Sequence, residues 1–429
     1  MRASVVVTGT EVLTGRVADR NGPWLAEALR AVGVDIAATV VVGDRPEDLR
    51  AALAFLAGSG VDLVLTSGGL GPTADDLTAV VVGDFQGRPS ELDPELEGRI
   101  TAIVQGLAAR RGWRMDPAST AAGTRKQAMV PRGATVLEPV GTAPGLVVPP
   151  ATGDGPPVVV LPGPPSELQG MWPAVLSDAT IRALLVDAPE LRQSTVRLWG
   201  TPESEIAATL RDHDAALAGL EITTCLRDGG ELEVVTRYAP AAAAGYDAFV
   251  DLLRHAYPRT VFSPAGETVD ALVADALTAR GRTLGVGESC TGGLLTGRLS
   301  ERAGSSAYLL GGTVAYSNEA KTSLLDVDPA LIDSVGAVSA EVAAAMARGA
   351  RTRFGADVGV GVTGVAGPGG GTDAKPVGRV HVAVVTPDAT AARQLDVPGG
   401  RSDVRARSVS AALHLLLDTL RRDREPDPR

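Results

Sequence analysis

Short runs of β-branched residues alternate along the first part of the chain with segments whose apolar positions recur every three or four residues. Residues 4–8, 35–42 and 62–66 read as buried strands. Between them, 22–32 (Trp24, Leu25, Ala28, Leu29 and Val32 on one face) and 46–57 read as helices. A helix at 94–110 and a strand at 157–161 extend the series. Such alternation predicts βαβ units on a parallel sheet. The segment PPATGDGPP at 149–157 predicts an exposed loop, with the VVVL run after it still belonging to the first sheet.

From about residue 175 the texture changes. Strands at 194–199 and 231–238 alternate with helices at 203–211 and 241–255, the pattern of a small α+β module. The α/β pattern returns after the SPAGE stretch at 263–267. It runs as a helix at 269–280, a strand at 283–286, a Gly-rich turn and a helix at 291–302. Strands at 309–316, 358–363 and 380–386 follow. A closing helix at 402–420 places Val409, Leu413, Leu416, Leu417 and Leu420 on one face. The expected class is α/β: two domains with mainly parallel sheets (1–174 and 263–429) joined by the α+β module (175–262).

Composition narrows this. A chain of 429 residues has room for two or three domains at roughly 150 residues each. With 45% hydrophobic and 21% charged residues it is globular, and with 3% aromatics its cores must be built from Ala, Val and Leu. Lys and Arg number 40 against 51 Asp and Glu, a net charge of −11, which disfavours nucleic acid or an anionic membrane as partner. Two cysteines and four histidines offer no paired spacing for zinc. The N-terminal apolar run gives way at once to Gly9, Thr10 and Glu11, unlike a signal peptide. No stretch of ~18 apolar residues would span a bilayer. The chain reads as a cytoplasmic, multi-domain enzyme.

Four motifs carry candidate chemistry. In GESCTGG (287–293), Ser289 falls at a strand-to-helix turn, on the sheet edge where open α/β folds bind ligands. The amides around Thr291, Gly292 and Gly293 would lie at the positive end of the next helix, suited to an oxyanion or phosphate. Ser289 or Thr291 could equally be a helix cap. In YSNEAK (316–321), Lys321 sits in the first turns of a helix capped by Ser317 or Asn318. There the helix potential and burial would lower its pKa toward the neutral base form. No histidine lies near either motif, so a Ser–Lys pair is the evident route to an activated serine, against a plain solvated lysine. The loop TGVAGPGGGT (363–372), with Lys375, Arg379 and Arg401 nearby, could wrap a phosphate or be a mobile connection. In TSGGLGPTADD (66–76), Gly68, Gly69 and Gly71 permit close approach to a phosphate. Asp75 and Asp76 would bind a divalent metal ion or cap a helix; Glu11 shares that edge, and Lys126 would complete the charge balance.

Taken in order, the motifs GTEVLTG, SGGLGPTADDLT, RKQA, GTAPG, LPGPPSE, GESCTGG, AGSSAY, YSNEAK, GAVS, VTGVAGPGGGT and KPVG closely resemble the CinA (competence/damage-inducible protein A) family over essentially the whole chain. The resemblance implies an N-terminal MoaB-like (molybdopterin-binding-fold) domain, a KH-like middle module and a C-terminal nicotinamide-nucleotide amidase domain. The last would convert nicotinamide mononucleotide (NMN) to nicotinate mononucleotide and ammonia without a cofactor. By motif, Ser289 would be nucleophile and Lys321 base, with Tyr316 and Ser306 supporting them. Thr291, Gly292, Gly293 and Thr363 would meet the substrate, and Arg401 its phosphate. In some relatives the N-terminal domain hydrolyses ADP-ribose with a metal; Glu11, Asp75, Asp76 and Lys126 carry that over. The middle module has eight Arg against thirteen Asp and Glu, a net of −5, and Asp228-Gly229-Gly230-Glu231 in place of a GXXG loop, so a homodimer contact suits it better than RNA. A non-catalytic scaffold linked to competence or recombination, or a pterin-binding protein, is the alternative.

Overall fold

Strand β1 (Arg2–Thr8) is buried along almost its whole length because helices cover both of its faces. It lies in a six-stranded sheet with β2 (Asp35–Val42) and β3 (Leu63–Ser67) on either side. The short strands β4 (Ser90–Leu92) and β5 (Met129–Pro131) make a separate antiparallel ribbon. Strands β6 (Thr135–Leu137), β7 (Gly145–Val148) and β8 (Val158–Leu161) complete the large sheet in the order β2-β1-β3-β8-β7-β6. Pairing is parallel from β2 to β8 and antiparallel through β7 and β6. Val5, Val7, Leu63 and Leu65 pack on one face against Leu25 and Leu29 of the helix Asn21–Arg30. Val6, Val64 and Val160 pack on the other against Leu49, Leu53 and Leu56 of the helix Pro46–Gly58.

This computed structural model describes residues 1–422, which form two compact units, the first Met1–Arg192 and the second beginning at Gln193. The first unit therefore runs past the expected boundary at 174. The helix Pro165–Ser177 crosses it, and Ile181 of the next helix, Ala179–Leu185, is buried in the same core as Leu168 and Val175.

The second unit holds two sheets. Strands β9 (Arg192–Trp199), β10 (Leu220–Leu226), β11 (Glu231–Tyr238) and β12 (Val261–Ser263) lie in the order β10-β11-β9-β12. Their core includes Val196, Leu232, Val234, Phe249 and Leu253. Strands β13 (Leu284–Glu288), β14 (Leu309–Val314), β15 (Val358–Gly364), β16 (Arg379–Val385) and β17 (Thr390–Asp396) lie in the order β14-β13-β15-β16-β17. β14, β13 and β15 are parallel, while β16 and β17 run antiparallel. The two sheets are joined at His414 of the helix Arg401–Arg422. Its Nε2 lies 2.9 Å from Glu231 Oε1, and its ring stacks on Trp199 with centroids 4.5 Å apart.

The two faces of the five-stranded sheet differ in kind. Val286, Val360, Val362, Val382 and Val384 pack against the helices Val269–Thr278 and Arg401–Arg422. On the other face β13 and β15 present Gly285, Gly287, Gly359 and Gly361 to the helix Ala340–Phe354. A Cβ on Gly361 would lie 2.1 Å from the Ala343 carbonyl oxygen, so the helix backbone rests directly on these strands. Among the described residues no helix is long and apolar enough to cross a membrane.

Candidate active site

Two strand ends bring the C-terminal motifs together. After β13 the chain turns at Ser289, whose N–H donates to the Val362 carbonyl of β15 at 2.9 Å. Gly292 and Gly293 then take left-handed φ values of 59° and 93°, which side chains resist. The following helix is Leu294–Ser300, three residues later than the pattern predicted. After β14 the Ala315 N–H donates to the Glu288 carbonyl at 2.7 Å, tying that strand end to the first. Ser317 caps the helix Asn318–Leu325 by accepting from the Ala320 N–H at 3.1 Å, and one turn later Lys321 reaches back toward Ser289.

Lys321 Nζ donates to Ser289 Oγ at 3.1 Å, to the Tyr316 carbonyl at 3.1 Å and to the Ser317 carbonyl at 3.5 Å. Both side chains are enclosed, with Lys321 2% and Ser289 7% exposed. Burial pulls the Lys321 pKa below the ordinary lysine value, against an opposing pull from Cys290 and Glu319. In the neutral amine two N–H bonds satisfy the two carbonyls, and the lone pair is left facing the Ser289 hydroxyl. The adjacent thiol offers no rival nucleophile, since burial pushes Cys290 up to about 11.

The remaining expectations divide. Tyr316 serves the pair through its backbone carbonyl; its half-exposed ring instead accepts, at the hydroxyl, from Arg401 Nη2 at 2.9 Å, while Arg401 Nη1 donates to the Gly367 carbonyl at 2.8 Å. Thr363 lies beside Val362, but its hydroxyl donates to the Ala337 carbonyl at 2.8 Å. Thr291 is buried, with its hydroxyl oxygen unpartnered. Ser306 is exposed in the turn Ser305–Ala307, and among the described residues no hydrogen bond links it to Ser289 or Lys321. Of the helix-start amides expected to be open donors, the Gly293 N–H donates to the Glu288 carboxylate, which also accepts from Leu295 and Thr296, and the Gly292 N–H donates to the Ser289 carbonyl at 3.1 Å. Lys375 donates to the Val335 carbonyl at 2.5 Å and Arg379 pairs with Asp396, so both serve the fold.

Sequence reasoning passed over two residues here. Glu288 is one; its place in GESCTGG was the available signal. The other is Arg405, whose Nη2 donates to the Thr291 carbonyl at 2.9 Å, bringing a second guanidinium to the turn. Only the packing of the last helix reveals it.

In the first unit a cavity of about 320 Å³ gathers Glu11, Gly68, Gly69, Gly71, Asp75 and Asp76, and adds Asp44 and Glu167. Asp76 Oδ2 accepts from the Thr73 N–H at 2.9 Å and from its hydroxyl at 2.5 Å, and Asp75 Oδ1 lies 2.6 Å from that same hydroxyl. Neither aspartate caps the helix Thr78–Phe85, whose N-cap is Leu77 with no side-chain bond. Lys126 donates to the Thr73 carbonyl; burial lowers its pKa, and Asp76 and Asp75 oppose that shift. Burial also raises the Glu167 carboxyl above its usual range. Among the described residues no three or more His, Cys, Asp or Glu side chains are arranged to hold a metal ion. The two aspartates are committed to Thr73 and faced by Lys126, so the residues present do not fit the expected metal.

Family models match both units: the CinA C-terminal domain over residues 266–420 and a probable molybdopterin binding domain over residues 4–182. The chain is 56% identical over 419 residues to a CinA-like protein of Mycolicibacterium gilvum, covering 97% of each chain. It is 53% identical over 426 residues to a CinA-like protein of Mycobacterium tuberculosis, covering 98% of this chain and 97% of the relative. Among solved structures, the competence/damage inducible protein CihA of Agrobacterium tumefaciens is 38% identical, covering 36% of this chain and 97% of its own, with a TM-score of 0.35.

Proposed function

From the premise that the chain belongs to the CinA family, we propose that its second unit is a serine amidase that hydrolyses NMN to nicotinate mononucleotide and ammonia. The observation that carries this reading is the enclosed 3.1 Å contact between Lys321 Nζ and Ser289 Oγ, with Lys321 biased toward the neutral form. Neutral Lys321 takes the Ser289 proton as Oγ attacks the carboxamide carbon. The tetrahedral intermediate collapses, the C–N bond breaks, and Lys321 returns the proton to the departing ammonia. Water then attacks the acyl-enzyme, losing a proton to Lys321, which passes it to Ser289 Oγ as nicotinate mononucleotide leaves. Arg401 and Arg405 supply positive charge for the phosphate. No cofactor enters this scheme.

Ammonia release from NMN by the purified protein tests it. Ser289→Ala and Lys321→Ala are each expected to lower kcat by about three orders of magnitude or more while the protein stays folded. Turnover near the wild-type rate in either variant removes the pair from the mechanism.

For the first unit we propose binding of a phosphorylated nucleoside such as ADP-ribose, or of a pterin. The glycine-edged cavity supports this reading, with no bond cleavage assigned. For the assembly we propose a homodimer, to be measured by light scattering.

A further inference from the structure

Glu288 stands one residue before the proposed nucleophile, at the end of β13, and is fully buried. Among the described residues no cation pairs with it. A carboxylate in such a place is costly unless hydrogen bonds replace its water. Here four donors do so: the N–H groups of Gly293 at 3.0 Å, Leu295 at 3.1 Å and Thr296 at 2.8 Å, and the Thr296 hydroxyl at 2.6 Å. These donors lie across the turn from the strand, so the carboxylate bridges its two ends. The turn between them contains two left-handed glycines, the residues least able to hold a conformation by themselves. Side chains alternate along a strand, so Glu288 anchors one face while Ser289 falls on the other, toward Lys321.

We infer that Glu288 is a positioning residue for Ser289: by clamping the 289–293 turn to the start of the next helix, it sets the approach of Ser289 Oγ to Lys321 Nζ. The same bonds occupy the positive end of that helix, so the Gly293, Leu295 and Thr296 amides stabilise Glu288 and not the substrate oxyanion. This rests on the reading of Ser289 and Lys321 as nucleophile and base.

The test uses Glu288→Gln, which keeps the shape but turns N–H hydrogens toward amides that need an acceptor. Ser289 reactivity is read with a fluorophosphonate: the Oγ–P bond forms, fluoride leaves, and the proton passes to Lys321. Ammonia release from NMN is read in parallel for kcat and KM. In Glu288→Gln, labelling rate and kcat are expected to fall together on the order of 100-fold, with KM changed less than about threefold. Thr296→Val removes one of the four bonds and should lose a few-fold in both. A folded Glu288→Gln protein labelled at the wild-type rate, or one affected only in KM, overturns the inference. Should Glu288→Gln fail to fold, wild-type labelling of Thr296→Val overturns it instead. Wild-type protein that labels but releases no ammonia refutes the substrate and leaves the labelling rates to judge Glu288. Wild-type protein that does not label refutes nucleophile and inference together.

Discussion

At the scale of single residues, the decisive feature is how Lys321 is held. Two backbone carbonyls, of Tyr316 and Ser317, take its N–H bonds, and among the described residues no carboxylate forms an ion pair with it. Neutral acceptors cost the buried amine less when it loses its proton than an ion-pair partner would. The pH dependence follows with its sign. The base must be unprotonated, so kcat is expected to rise with pH and level off above the Lys321 pKa. Because burial lowers that pKa, the midpoint should fall below the ordinary lysine value of 10.5. A pH–rate profile of ammonia release checks this; a midpoint at or above that value contradicts the assignment. Arg401, bonded to the Tyr316 hydroxyl, and Arg405, on the Thr291 carbonyl, bring positive charge to the same strand ends.

Among the elements, the helix Ala340–Phe354 and the strands beneath it decide where the site can form. Glycine alternates with valine in β13 and β15, so one face packs as an ordinary aliphatic layer while the other lets a helix backbone touch the sheet. The Thr363 hydroxyl bonds the Ala337 carbonyl just before that helix, linking its approach to the end of β15 next to Ser289. Gly361→Ala places a methyl group against the Ala343 carbonyl, where backbone must give way. It is expected to cost roughly 1–3 kcal/mol, read as a lower midpoint in chemical denaturation. An unchanged midpoint would mean the helix lifts without penalty. A strand pattern of alternating Gly and Val names its two faces in advance.

For the molecule as a whole, two units each carry a candidate site at the end of strands, one with a Ser–Lys pair and one with a glycine-edged acidic cavity. The apolar clusters of each unit draw only on that unit's residues. Independent sites predict that Asp76→Ala leaves ammonia release from NMN unchanged. The same change should diminish the rise in melting temperature produced by ADP-ribose, since a ligand stabilises only the fold it binds. Loss of both properties in a folded protein would show that the sites are coupled. The middle sheet belongs to the second unit because His414 joins it through Glu231 and Trp199, and Arg421 donates to the Phe262 carbonyl at 2.8 Å.

Much was legible in the chain itself. Hydrophobic periodicity located the central strands of both α/β parts, since strands covered on both faces are continuous apolar runs, but only some of the helices: Pro117–Gln127, Pro165–Ser177 and Ala340–Phe354 were not predicted. Motif spacing named Ser289 and Lys321, because a strand-to-helix turn and a capped helix are local structures with local signals. Other features are long-range. β10 and β17, with one face exposed, carry weak apolar signals and were not predicted. The first boundary moved to Arg192 because Ile181 finds its partners in the N-terminal core. Tertiary packing alone brought Arg405 to Thr291, set Ser306 apart, and gave the Gly293, Leu295 and Thr296 amides to Glu288. Which donor meets which acceptor across a turn depends on where the chain returns in space, and residue order encodes that only through the completed fold.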